Sequence, residues 1–477
     1  MKHRNGNLWC SIVLLASVMF FGGCARLPDN SSRMLSGTIT DGEITKLGKL
    51  YEQRLKKHPG QAGVYLLKDG LDAFVARAVL ARYAERSIDL QYYIFHQDSV
   101  GMLLIKELVA AADRGVRIRL LVDDMFGEEG DDTWLVLDSH PSFEVRLFNP
   151  FVRDHSKKIQ FLTRFKTVNH RMHSKTFTVD NQATIVGGRN IGDEYFNADP
   201  NLAFSDIDVM AIGPVVPDVS DEFDEYWNSK NAFPITTLKP DVANLGMEAL
   251  RLELDKLTDQ EATSAYVEAL NNSDLAMALA RETIHFSFAE ALVIHDSAEK
   301  LTKGDGWKEG LLMTQLAPYI KKVKKELILV SPYFVPGSKG TKLLCEFSEK
   351  GTKVRILTNS LVTNDVSAVH TGYIRHRKDL LRCGIHLYEL NEQTKEQKEE
   401  RFTWLPGLNK SRLHAKTLAI DGEAMFVGSF DLDQRSLYIN NEIGILFYNN
   451  ELASASSKHF NDHIDQVAFR VELVKNK

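Results

Sequence analysis

The chain reads His173-Ser174-Lys175-Thr176-Phe177-Thr178-Val179-Asp180, then six residues, then Gly187-Gly188. Further on it reads His414-Ala415-Lys416-Thr417-Leu418-Ala419-Ile420-Asp421, then six residues, then Gly428-Ser429. Both stretches fit H-x-K-x4-D-x6-G-[GS]. In a chain with 15 histidines, an isolated H-x-K is expected about once by chance. The full string occurring twice is not. Alternating character over the first residues of each stretch predicts a strand, with His and Lys on one face. Asp180-Asn181 and Asp421-Gly422 then supply turn chemistry, followed by a second apolar strand ending at Gly187 or Gly428. Each motif therefore predicts a β-hairpin, and Asp180 and Asp421 are expected to organise its turn.

The repetition extends outward from the motifs. Lys350–Leu357 echoes Arg114–Leu121, an offset of 236 residues (350 less 114), and the motif histidines are 241 apart (414 less 173). Glu326–Phe334 stands where Ser87–Phe95 stood. In the first half, helical Ala73–Arg86, strand Ser87–Phe95, amphipathic helix Gly101–Arg114 and strand Val116–Val122 form a βαβ pattern. The predicted fold class is α/β, with two pseudosymmetric units packed about a pseudo-twofold axis. Their motif strands would meet at the interface and share one site, with His173 opposite His414. The predicted divisions are 1–24, a signal segment; 25–62, a tether and short helix; 63–227, the first unit; 228–305, a helical linker; and 306–470, the second unit.

Composition narrows the function. The chain has 477 residues, 44% hydrophobic and 26% charged, with a formal charge of −6. That describes a globular protein with a sizeable core and without the basic surplus of a nucleic-acid binder. Lys2, His3 and Arg4 precede an apolar run, Leu8–Phe21, of the length of a signal core. Phe21-Gly22-Gly23-Cys24 resembles a lipobox, making Cys24 the expected lipidation site. The chain is thus expected to be exported and held at the periplasmic face of the cell envelope as a lipoprotein. Beyond Cys24 only Cys345 and Cys383 remain. They either pair in an oxidising compartment or stand as two buried thiols.

The motif residues suit attack on a phosphodiester, which needs positive donors on the phosphate oxygens, a nucleophile and an acid for the leaving alcohol. Lys175 and Lys416 supply charge and Asn190 an amide donor. One histidine attacks phosphorus; the other protonates the departing alcohol and then activates the acceptor. Each imidazole needs a carboxylate to fix its tautomer. Asp206 or Asp208 in the first half and Glu442 in the second are the candidates. The lysines do the work that a metal ion does elsewhere. His170 and Arg171, next to the first motif, are weaker candidates for phosphate contact.

The doubled H-x-K-x4-D resembles the signature of the phospholipase D superfamily, over residues 63–470. Val186–Phe196 (V-G-G-R-N-I-G-D-E-Y-F) and Gly428–Ser436 (G-S-F-D-L-D-Q-R-S) are similar to its cardiolipin synthase-like branch, and most to the exported third type of Gram-negative bacteria. The resemblance implies two α-β-α sandwich domains sharing one active site. It also implies phosphatidyl transfer through a phosphohistidine, from phosphatidylethanolamine to phosphatidylglycerol for example, with no metal or other cofactor. Hydrolysis to phosphatidic acid is the first alternative within that superfamily and a phosphodiesterase or nuclease the second; the acidic balance weighs against that last reading, and nucleic acid is not an expected partner. By the same resemblance the nucleophile is His173, with Ser429, Asn190, Glu442 and Asp206 around the substrate. The chain departs from the branch at Asp431, where Asn is usual. A carboxylate there repels a phosphate oxygen unless it is protonated or turned away.

Overall fold

A computed structural model describes residues 26–153, 155–199, 203–240, 246–258, 260–281, 283–301, 310–364, 366–391 and 411–474. The expected signal segment and Cys24 lie outside the described residues. Among the described residues no helix is long and apolar enough to cross a membrane.

One sixteen-stranded sheet runs through the molecule, eight strands from each half. From the centre outward, the first half runs Ala62–Leu67, Asp208–Ile212, Ala183–Gly187, Thr176–Val179, Ser87–Tyr92, Arg117–Asp123, Phe143–Phe148 and Ala232–Pro234. The second half runs Ser287–His295, Ile443–Tyr448, Ala424–Gly428, Thr417–Ile420, Glu326–Val330, Lys353–Asn359, His386–Leu390 and Ala468–Val471. The two lists correspond strand for strand. Ala62–Leu67 and Ser287–His295 pair antiparallel at the seam, which generates the pseudo-twofold relation. In each half, three neighbouring strands are parallel and joined through helices. They are largely buried on both faces, and the charged side chains they carry are paired, as Arg119 of one strand is with Asp89 of the next at 2.7 Å. Helix Ser99–Asp113 shows how the sequence sets these crossovers. Asp98 caps it by accepting from the Gly101 amide, and Gly115, at φ 88°, lets the chain leave it.

The structure corrects the sequence reading at two places. The motif strands begin at Thr176 and Thr417, so each His-x-Lys precedes its strand. The His173 amide bonds instead to the Asn441 carbonyl, and the His414 amide to Ser205, each in the opposite half. Residues 228–305 hold helices Met247–Leu257, Glu261–Asn272 and Asp274–Ala280. They also hold Ala232–Pro234, which is the first half's outermost strand, and Ser287–His295, which is the second half's innermost. Its partner across the seam is more than 200 residues earlier, so local periodicity could not reveal its place.

Asp180 and Asp421 do tie the hairpin turns. Both have positive φ, 52° and 55°. The Asp180 carboxylate accepts from the amides of Glu85, Arg86 and Ser87; Asp421 accepts from Lys324, Lys325 and Glu326. Each thereby anchors its hairpin to the start of the neighbouring parallel strand. Cys345 and Cys383 form a disulfide with Cα atoms 5.3 Å apart. It joins helix Gly337–Glu349 to the end of helix Ser367–Arg382.

Candidate active site

At the end of the sheet where both motif strands begin, the two halves exchange side chains. His173 Nδ1 lies 2.8 Å from Glu442 Oε2, and His414 Nδ1 lies 2.5 Å from Asp206 Oδ2. Each ring is thus backed by a carboxylate from the other half, a pairing the sequence did not reveal. An Nδ1–H donated to the carboxylate leaves Nε2 unprotonated and free to attack or accept a proton. Asp208, the other candidate, instead forms a buried ion pair with Arg77 at 2.9 Å.

The two pairs are built differently. Glu442 reaches from the end of strand Ile443–Tyr448 and is held by two hydroxyls, Ser429 Oγ at 2.6 Å and Ser436 Oγ at 2.9 Å. Ser429, expected to bind substrate, is fully buried and spends its hydroxyl on this carboxylate. Its counterpart Gly188 has no side chain because a Cβ there would collide with Asp206. Asp206 accepts from the Ile207 amide at 2.8 Å. Burial pushes its carboxyl up, but His414, Lys416 and Arg189 outweigh that and hold it down to about 2. Glu442 is raised by burial, against Lys175, Ser429 and Lys300.

The rings respond accordingly. Burial, with Lys175, Lys416, His414 and Arg435 nearby, holds His173 well below the ordinary imidazole range. His414 is also lowered, by burial and then Lys416, while Asp206 pulls the other way. His173 is therefore neutral at pH 7, and His414 is the ring with a firmly ionised carboxylate behind it. Charges of both halves act on both rings, so the two histidines share one electrostatic environment. Aromatic rings hold them in place: Tyr93 lies 4.9 Å from His173, and Tyr195 and Phe204 lie 5.3 and 5.1 Å from His414.

Lys175 and Lys416 are buried, and each donates to the carbonyl of its own motif histidine at 2.5 Å. Burial lowers Lys175 to about 7, with Glu442 opposing and Lys416 adding to the shift. Its ammonium also lies 5.4 Å from the Tyr93 ring centre. Asn190 Oδ1 accepts from the Ile94 amide at 3.2 Å, and Asp431 Oδ1 accepts from the Tyr333 amide at 3.2 Å and from Ser331 Oγ at 2.7 Å. These are equivalent positions, 241 apart. The other Asp431 oxygen faces Lys416 at 3.7 Å. Burial raises Asp431 to about 6, against Lys416 and Ser331. The departure is thus absorbed by turning the carboxylate onto the lysine.

Arg171 does not line the site as a phosphate ligand, and His170 turns its Nδ1 to the Ile439 carbonyl at 3.0 Å. Arg171 is fully buried, bonded to Asp123 Oδ1 at 2.9 Å and to the Asn149 carbonyl. Asp123 also accepts from the Met172 amide at 2.9 Å, so this pair fixes the chain entering His173. Tyr195 and Arg435 are neighbours of the rings that pattern reading missed. The string Asp193-Glu194-Tyr195 after the first motif was the available signal for one of them.

Two segments, residues 80–227 and 316–464, match the family model described as cardiolipin synthase, PLD-like domain. The chain is 42% identical over 418 residues to cardiolipin synthase C of Escherichia coli K12, covering 87% of this chain and 88% of that protein. It is 32% identical over 459 residues to an uncharacterized protein of Helicobacter pylori, covering 95% and 89%. It is 26% identical to cardiolipin synthase A of Pseudomonas syringae over 82% of this chain and 66% of that one. A solved structure, phosphatidylserine synthase of Haemophilus influenzae, is similar in fold with a TM-score of 0.55 at 14% identity, covering 88% of this chain and 92% of that one.

Proposed function

The chain belongs to the phospholipase D-like cardiolipin synthase family, and from that premise we propose that it is a phosphatidyltransferase that makes cardiolipin from two phospholipids. The observation that carries the reading is the crossed pair of His–carboxylate couples with two buried lysines beside them.

His173 Nε2 attacks the donor's phosphorus, forming a P–N bond as the P–O bond to the headgroup alcohol breaks. His414 in its protonated form, which Asp206 favours against burial and Lys416, gives that proton to the departing alkoxide. The neutral ring then takes a proton from the hydroxyl of an incoming phosphatidylglycerol. That oxygen attacks the phosphohistidine, releasing His173 and leaving cardiolipin. Lys175 and Lys416 stabilise the charge that spreads over the phosphate oxygens. Glu442 steadies the positive charge that His173 acquires when phosphorylated. Phosphatidylethanolamine is the proposed donor, following the family resemblance. The same reading puts the protein at the periplasmic face, tethered through an acylated Cys24. The Cys345–Cys383 bridge supports an oxidising compartment.

Incubation of the purified chain with both lipids, followed by thin-layer separation, tests this. Cardiolipin is the expected product. Phosphatidic acid alone would replace the transferase by a hydrolase that passes the same intermediate to water. Labelling of cells with a tagged fatty acid, and its loss in Cys24→Ser, tests the anchor.

A further inference from the structure

A cavity of about 440 Å³ opens within the second half. It lies between the sheet and the helices Leu312–Ile320 and Gly337–Glu349. Leu327, Leu329, Leu344, Phe347, Phe426 and Phe430 make its walls apolar. Ser331 and Thr417 line it near the motif. Thr417 follows Lys416, and Ser331 Oγ donates to Asp431, the carboxylate that faces Lys416. The short helix Gln434–Tyr438 is the partition. Its Ser436 hydroxyl donates to Glu442 behind His173, while Gln434, Leu437 and Tyr438 line the cavity. Lys339 and Tyr438 are exposed, so the cavity reaches solvent at this end of the sheet.

The other half shows what normally occupies this volume. Asn190 and Asp431 bond to the amides of Ile94 and Tyr333. Two residues earlier in each strand stand Tyr92 and Ser331. Tyr92 is fully buried; its ring packs against Phe95 and its hydroxyl accepts from Arg77 Nε at 3.0 Å. Where the first half has a phenol, the second has a hydroxymethyl group. The helix that leads into this strand is also shorter, nine residues against fourteen. The space filled by protein in one copy is left open in the other. An apolar volume that stays empty costs stability, and an apolar chain fills it favourably.

We propose that this cavity receives one fatty acyl chain of the phospholipid whose phosphate lies between Lys175 and Lys416. The inference rests on the phospholipid reading above and adds a subsite to it. Each methylene taken from water into such a pocket strengthens binding by roughly fourfold. A filled chain therefore favours long-chain over short-chain substrates.

The test compares kcat/KM for palmitoyl and hexanoyl donors, in mixed micelles, for the wild type, Met313→Trp and Leu343→Trp. Both residues line the cavity and are half-buried, so the indole can grow into the void. The long-chain to short-chain ratio should fall by about tenfold or more in each variant; an unchanged ratio overturns the subsite. Should both variants fail to fold, the wild type answers directly. A donor with a diazirine at its chain terminus should label peptides within residues 312–349 or 417–438, and labelling confined to segments outside these overturns the proposal. If the wild type yields neither cardiolipin nor phosphatidic acid, the functional reading fails instead, and the crosslink still reports on the cavity.

Discussion

The two halves carry the same motif at the same end of the same sheet, yet they furnish their histidines unequally. The first half's His173 is backed by Glu442, a longer acid held by Ser429 and Ser436 and raised by burial. The second half's His414 is backed by Asp206, a shorter acid seated against Gly188 and held down to about 2. Near symmetry brings the two rings to one site. On the proposed mechanism the asymmetry divides their work: a neutral ring suits attack, and a ring with a fully ionised partner suits carrying a proton. A duplicated fold thus needs only a few substitutions to turn equal halves into a nucleophile and an acid.

The comparison can be broken most sharply at the rings. His173→Ala should lose all measurable turnover, and His414→Ala should lose about 10²–10⁴-fold in kcat, by product assay. Either variant at near wild-type rate would dissolve the division of labour. The carboxylates come next. Asp206→Asn and Glu442→Gln should each cost about 10²-fold or more, because the amide can present a hydrogen to Nδ1 and favour the wrong tautomer. The Asp206 change should be the larger for leaving groups of high pKa, whose departure needs the proton most.

Lys175 gives the comparison a pH axis. Its pKa is lowered to about 7, so the free enzyme loses this ammonium as pH rises through that value. His173, held well below its usual range, is already neutral there and sets only an acid limb. A profile of kcat/KM should therefore decline towards alkaline pH through loss of the Lys175 ammonium and of the His414 proton together, and Lys175→Arg should remove the Lys175 step near pH 7 and leave the His414 step. A plateau to pH 9 in the wild type would contradict the assignment.

Two smaller effects sharpen the contrast. Asp431→Asn restores at this position the amide that Asn190 carries, and it frees Lys416 from a carboxylate 3.7 Å away. Activity should rise by about two- to tenfold, measured at saturating acceptor; a loss would mean that the carboxylate itself takes part. In stability, Asp180→Ala should cost about 2–3 kcal/mol and Asp421→Ala about 1 kcal/mol, by chemical denaturation. Each aspartate holds three amides, but Asp180 is fully buried and Asp421 is half-buried.

What could be read in advance followed the range of the forces involved. The hairpins, the parallel strands and the place of Asp180 and Asp421 at the hairpin turns depend on neighbours within a few residues or on the repeat itself, so the doubled string disclosed them; the amides those aspartates hold, more than ninety residues away, it did not. The strand Ser287–His295 was absorbed into a linker because its meaning comes from Ala62–Leu67 across the seam. The crossing of Glu442 to His173 and Asp206 to His414 was equally hidden, since each carboxylate lies nearer in sequence to the wrong histidine. Arg171 looked like a phosphate ligand by adjacency. Only the buried Asp123 behind it shows that it fixes the backbone. Ser331 carried no signal until Tyr92 was seen filling the same place in the other copy.

The central claim is that one ring from each half acts on a single phosphate, His173 by covalent attack. The most direct measurement is acid- or base-quenched mass spectrometry of the enzyme during turnover, to locate the phosphatidyl adduct. The adduct should sit on His173, and it should accumulate in His414→Ala when acceptor is withheld. An adduct on His414, or turnover by a His173→Ala protein with no adduct at all, would contradict it.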